Sequence, residues 1–251
     1  MSVRLVWLGQ ASVRLELDGT RLLVDPWYSP HESRLIPIPD LEDAAGADAI
    51  LITHEHLDHL DEPFLPTLRE RSPHARVILP RCLTSRVDGV FESVAGVEPG
   101  DKLEIGGIAI DVVPAYHGVS TDDAYGDGSS LGEGPRFVGY VIRGAGAAVY
   151  HAGDTIATAE LSAALARVLP VDVALLPVNG RDHFRERAGI VGNLDAREAV
   201  ELALEIGAHT LVPLHWDGFA GNVSRPGEAA DAADGRIHVV VPARGRQIEL
   251  A

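Results

Sequence analysis

Short apolar clusters at strand-like spacing open the chain. Val3–Leu8, Val13–Leu17 and Arg21–Val24 alternate or cluster apolar residues, with Asp18-Gly19 as a hairpin turn between the second and third, so a β-meander is predicted. Asp25-Pro26 ends the third strand, and Trp27, Tyr28 and the Pro-rich stretch to Pro39 read as a loop. Ala49 to Ile52, with the methyl of Thr53, is apolar throughout, the mark of a strand covered on both faces. Asp61-Glu62-Pro63 predicts a helix start, with Asp61 as N-cap and the helix running to about Arg71. Beyond it, Arg76–Leu79 reads as a strand, and Leu103–Ile105 with Ile108–Val113 as a hairpin around Gly106-Gly107. Phe137–Ile142 and Ala147–Tyr150 form two more strands joined by Gly144-Ala145-Gly146. Ala159–Leu169 then predicts a helix, Val171–Leu176 a buried strand, and Leu211–Leu214 a last short strand. Asp195–Ile206 is an amphipathic helix opened by the capping box Asp195-x-x-Glu198. Strands alternating with helices behind a meander indicate an α/β chain with layered sheets. No linker or repeat divides residues 1–251, which read as a single domain.

Composition narrows the functional classes. Apolar residues make up 46% and charged residues 23% of 251, enough for a large core and unlike a disordered chain. Formal net charge is −16, from 21 basic and 37 acidic side chains, which argues against a nucleic-acid partner; a small-molecule substrate is expected instead. The single cysteine, Cys82, rules out an intramolecular disulfide and reads as packing. The opening MSVRLVWLGQ lacks the plan of a signal peptide, and no apolar run reaches membrane-spanning length, so a cytoplasmic protein is expected.

The chemistry begins where the Ala49–Ile52 run stops. It leads directly into His54, His56, Asp58 and His59, at the strand end where α/β folds hold ligands. Three imidazoles and a carboxylate so close together would desolvate and repel one another unless a cation joined them. His54 and His56, two apart on extended chain, point one way, while Asp58 and His59 are carried round a turn, which suggests two metals. Later strands also end in ligand types: His117 beside Gly118, Asp154 after Gly153, and His215 before Trp216-Asp217. Taken alone, each of these would be an ordinary turn residue. His151 reads equally as packing or as support for a ligand.

His54-x-His56-x-Asp58-His59 behind an apolar strand resembles the signature of the metallo-β-lactamase-fold superfamily of binuclear metallohydrolases. The resemblance implies an αββα sandwich of two mixed β-sheets flanked by helices. It also implies His54, His56 and His117 around one divalent cation, Asp58, His59 and His215 around the other, and Asp154 between them. Asp25, in an Asp-Pro beneath the family's site, would support a ligand or simply make a turn. Pro177-Val178-Asn179-Gly180, Asn193 with the Ala196 to Glu201 helix start, and Val212-Pro213-Leu214-His215-Trp216-Asp217 are similar to the ascorbate-6-phosphate lactonase-like branch. The lactonase itself carries a non-histidine residue where this chain has His117, a departure that leaves the substrate open.

Two such cations would lower the pKa of a shared water towards about 7, giving hydroxide as nucleophile, with Asp58 as the catalytic residue that orients it and carries its proton. Zinc is expected first, then manganese, with iron less favoured. The function expected is hydrolysis of a small anionic ester, lactone or phosphoester, a sugar-phosphate lactone leading. The alternatives are a phosphodiesterase or phospholipase, an iron-dependent oxidoreductase on the same fold, and a metal-stabilised binding protein. Residues 179–193 contain Arg181, His183, Arg185 and Arg187 in an otherwise acidic chain. They read either as a solvated loop or as one overhanging the site, with Arg181 or Arg185 binding a substrate anion and His183 contacting the leaving group. The polar, Gly-rich residues 119–136 read as a lid or as a plain surface loop.

Overall fold

The computed structural model describes residues 3–117, 135–181, 187, 191–220 and 222–250. Its strands are β1 (Val3–Gly9), β2 (Ser12–Leu17), β3 (Thr20–Val24), β4 (Ala49–Leu51), β5 (Arg76–Pro80), β6 (Val94–Val97) and β7 (Lys102–Ile105). They continue with β8 (Ile108–Pro114), β9 (Val138–Gly144), β10 (Ala147–His151), β11 (Val173–Pro177), β12 (Thr210–Leu214), β13 (His238–Val239) and β14 (Gln247–Leu250). Two seven-stranded sheets result, ordered β14-β1-β2-β3-β4-β5-β6 and β13-β12-β11-β10-β9-β8-β7. Both are mixed: the opening meander is antiparallel and β3 to β6 pair in parallel, while β7 to β10 are antiparallel and β10 to β13 parallel.

Side-chain alternation along each strand divides the apolar residues into three cores. Val3, Leu5 and Trp7 of β1, Ala49 and Leu51 of β4, and Val173 and Leu175 of β11 fill the space between the sheets. Their neighbours Val6, Leu8 and Ile50 face outward, under the helix α1 (Leu65–Arg71). On the far side, Ala174, Leu176 and Leu211 pack beneath α2 (Ala159–Leu165) and α3 (Ala196–Glu205), with α4 (Gly227–Ala233) beside them. Strands buried on both faces explain the unbroken apolar runs in the sequence, and the order helix, sheet, sheet, helix is the αββα sandwich that was expected. The Asp195 capping box forms in full at the start of α3.

Three local expectations change. Asp61 does not cap a helix: residues Glu62–Phe64 make a 3-10 turn and its side chain makes no capping bond. Its carboxylate instead accepts from Tyr28 N (2.7 Å), Ser29 N (2.6 Å) and Ser29 Oγ (2.5 Å), pinning the Pro-rich loop. The helix expected to reach Leu169 ends at Leu165. Strand β6 was not anticipated; in its Val-Ala-Gly-Val sequence the glycine is needed because a Cβ at Gly96 would lie 2.8 Å from Thr84 Cγ2 and 3.0 Å from Arg81 Cα. Among the described residues no helix is long and apolar enough to cross a membrane.

Candidate metal centre

Four strand ends from both sheets meet at one edge of the sandwich. Strand β4 of the first sheet delivers His54, His56, Asp58 and His59, while β8, β10 and β12 of the second deliver His117, Asp154 and His215. The sheets are stitched here: Val138 N donates to Thr53 O (3.0 Å) and Tyr140 Oη to Ile52 O (2.6 Å). Gly153, at φ +61°, lets the Asp154 turn come close, since a Cβ would sit 2.7 Å from Thr53 Cβ.

All seven donors expected from the sequence come together. His54, His56 and His117 form one cluster, Asp58, His59 and His215 another, and His54, His59 and Asp154 a third, each with one ligand atom per residue within 4.8 Å of the others. His54 Nε2 is 2.9 Å from His56 Nδ1. Asp154 Oδ2 lies 3.4 Å from His117 Nε2 and 3.1 Å from His215 Nε2, and its Oδ1 3.4 Å from His59 Nε2, so its carboxylate stands between the first two clusters. Asp58 Oδ2 is 3.3 Å from His215 Nε2 and 3.6 Å from His59 Nε2.

Groups behind the histidines fix how they point. Asp25 Oδ2 accepts from His59 Nδ1 (2.7 Å), and the Asp25 carboxylate is itself held by Thr53 N (2.8 Å) and Thr53 Oγ1 (2.7 Å). Thr53 Oγ1 also meets His54 Nδ1 (3.0 Å), and His117 Nδ1 donates to the Gly192 carbonyl (2.8 Å). With Nδ1 engaged, His54, His59 and His117 present Nε2 to the centre, the arrangement usual for metal-binding imidazoles. His151 takes no part in the clusters: its Nε2 bonds the Ala11 carbonyl (2.9 Å) and its Nδ1 accepts from Gly153 N (3.2 Å), bracing the turn that carries Asp154.

Sequence reasoning missed Gln10, whose Nε2 donates to Asp58 Oδ2 (3.0 Å) and lies 3.1 Å from His215 Nε2. It gave Asp217, named within the branch motif, no role; the carboxylate accepts from Gln10 N (3.1 Å) and pairs with Arg244. Gln10, Asp25 and His215 all adopt left-handed φ (52°, 48° and 59°), a conformation non-glycine residues hold at a cost of order 1–3 kcal/mol each and retain mostly at functional sites.

Burial and charge divide the imidazoles. Burial pushes His117 down to about 4 and His54 well below the usual histidine range, the latter helped by His59 and His56. Burial also opposes the charged forms of His59 and His215, yet nearby carboxylates outweigh it: Asp154, Asp58 and Asp25 raise His59 to about 9, and Asp154 with Asp58 raises His215 to about 10. Asp58 and Asp154 are held below the carboxylate range, against burial, chiefly by His59 and His215. The donor set fits divalent cations: His59 Nε2 and Asp154 Oδ1 are buried polar atoms aimed at the centre with no hydrogen-bond partner.

Of the expected substrate residues, Arg181 alone lies among the described ones. Arg181 pairs through both terminal nitrogens with Glu198 and donates to the Asn193 carbonyl (3.2 Å), tying its guanidinium to the start of α3. His183 and Arg185 lie outside the described residues, as do 119–134 of the expected lid.

A sandwich whose strand ends gather five histidines and two aspartates at one edge defines a metallo-β-lactamase-type fold. A family model described as a beta-lactamase superfamily domain matches residues 20–216, and the chain belongs to the metallo-β-lactamase superfamily. A UPF0173 metal-dependent hydrolase from Methanopyrus kandleri is 32% identical over 218 residues, covering 86% of this chain and 85% of that one. Among solved structures, Igni18, a metallo hydrolase from Ignicoccus hospitalis, superposes with a TM-score of 0.76 at 23% identity, over 100% of this chain and 99% of that one. CmlA, a diiron β-hydroxylase from Streptomyces venezuelae, has a TM-score of 0.74 at 18% identity, over 99% of this chain and 54% of its own. At these identities the structural likenesses speak for the fold alone.

Proposed function

We propose that this chain is a binuclear metal-dependent hydrolase of small, anionic esters, lactones or phosphoesters, with a sugar-phosphate lactone as the first substrate to try. The observation that carries the reading is the convergence of seven donors, among which His59 Nε2 and Asp154 Oδ1, 3.4 Å apart, are buried without a hydrogen bond. His54, His56 and His117 would hold one cation, Asp58, His59 and His215 the other, with Asp154 shared. Cations bound there supply Lewis acidity and lower the pKa of water towards about 7. Asp58 is the residue we assign to orient the attacking water and take up its proton at Oδ2. Gln10 Nε2 donates to that oxygen at 3.0 Å, which limits its freedom to turn away. Imidazole-rich donors favour zinc, with manganese next. Relatives named as metal-dependent hydrolases support the hydrolytic class. Both sheets feed a shared inter-sheet core, which supports treating the chain as one catalytic domain, and a single buried cysteine suits a cytoplasmic setting.

The test is metal analysis followed by a panel of lactones, phosphodiesters, thioesters and β-lactams on the same sample. Turnover of one class by a colourless zinc or manganese protein supports the proposal. The likeness in fold to a diiron hydroxylase keeps an oxidoreductase as the second reading; iron content, a visible absorption band and oxygen uptake would favour it.

A further inference from the structure

Gln10 sits in the turn between β1 and β2, fully buried, and uses every polar atom it owns to bind distant parts of the chain. Its backbone N donates to Asp217 Oδ1 (3.1 Å), and its carbonyl accepts from Trp7 Nε1 (2.9 Å) and His215 N (3.0 Å). Its side-chain Oε1 accepts from Gly218 N (2.8 Å), which orients the amide so that Nε2 faces Asp58 Oδ2 at 3.0 Å and His215 Nε2 at 3.1 Å. Two members of the carboxylate-bearing triad therefore meet one amide. Among the described residues none of its hydrogen bonds reaches His54, His56 or His117.

Gly218 shows that the seat is shaped for this side chain. A Cβ there would lie 2.2 Å from Gln10 Cδ and 2.3 Å from Gln10 Cγ, so any larger residue displaces the amide. The backbone at Gly218 is outside the left-handed region, which makes the close approach, and not conformational freedom, the reason for a glycine. A buried N–H donated to a carboxylate is among the stronger hydrogen bonds, and removing the amide costs Asp58 Oδ2 that donor and the Gly218 N–H its acceptor.

We propose that Gln10 is a positioning residue for the carboxylate triad alone, its amide holding Asp58 and its carbonyl holding the backbone of His215 for the second cation, with Gly218 as the recess that seats the amide. The proposal rests on the two-cation reading given above. Residues that brace metal ligands typically change metal affinity about 10–100-fold when removed. Gln10→Met keeps the length of the side chain and the backbone preference but deletes the amide. It should weaken the second equivalent of cobalt(II) about 10–100-fold and change the visible cobalt bands of that site, while the first equivalent stays within about threefold.

Gly218→Ala should produce the same selective loss with Gln10 still present, and it carries the test if Gln10→Met does not fold. The double variant should bind the second equivalent no more weakly than the worse single variant, because both act through one amide. Far-UV spectra of the chelated proteins report folding apart from metal. If the wild type takes up two equivalents and both variants match its affinities, or if both sites weaken equally, the positioning role is overturned. If the wild type takes up only one equivalent, the two-cation reading itself falls, and this proposal with it.

Discussion

His54, His56 and His117 on one side and Asp58, His59 and His215 on the other begin alike, at strand ends, but differ in what stands behind them. The histidine triad is backed by neutral groups, the Thr53 hydroxyl and the Gly192 carbonyl, and burial drives His117 down to about 4. The mixed triad is backed by the Asp25 carboxylate and the Gln10 amide, and its histidines are raised to about 9 and about 10 by carboxylates. The first cluster offers lone pairs and the second offers negative charge. Asp154, within 3.4 Å of His59 and His117 and 3.1 Å of His215, joins the two. Different backing groups let one cluster be disturbed without the other, and that separation is open to experiment.

The largest break should come from Asp58→Ala. Asp58 sits after β4 and outside the three apolar cores, so the protein should fold while hydrolysis falls more than about a hundredfold, the low end for loss of a general base. Wild-type-like turnover by the fully metallated variant would refute its role. Asp25→Asn should do less, and to one side only. Asparagine tolerates the left-handed φ of 48° at this position but carries no charge to support His59, so the second equivalent of metal should weaken about tenfold with the first unchanged. Isothermal titration would read it, and equal weakening of both equivalents would contradict the separation.

Thr53→Val should sharpen the comparison from the opposite direction. Its hydroxyl meets His54 Nδ1 at 3.0 Å, His59 Nδ1 at 3.2 Å and Asp25 Oδ2 at 2.7 Å, so it serves both triads. Both equivalents should weaken together by about fivefold, the size of one net hydrogen bond. The same titration checks it, and a loss confined to one equivalent would show that the hydroxyl serves a single triad.

Much of this was legible in the sequence because the ligands lie just past apolar runs. His54, His56, Asp58 and His59 are local to one strand end, and the runs before His117, Asp154 and His215 mark those positions too. The groups behind the ligands were hidden because tertiary folding assembles them. Gln10 meets Asp58 across 48 residues and His215 across 205, and no spacing rule spans such intervals. Asp61 misled for a related reason: Asp-Glu-Pro is a fair helix start, but three donors from Tyr28 and Ser29 compete for the carboxylate and win. Arg181, read either as part of a solvated loop or as facing the substrate, pairs with Glu198 across 17 residues, a partner that only the folding of α3 brings beside it.

The central claim, that two cations are held by two distinct ligand sets sharing Asp154, is tested most directly by the metal content of His117→Ala and His215→Ala beside the wild type. The wild type should hold about two cations per chain. Each variant should retain about one, and cobalt(II) spectra should show that the survivor differs between them, the mixed site remaining in His117→Ala and the histidine site in His215→Ala. Two cations bound at wild-type affinity in both variants would contradict the assignment.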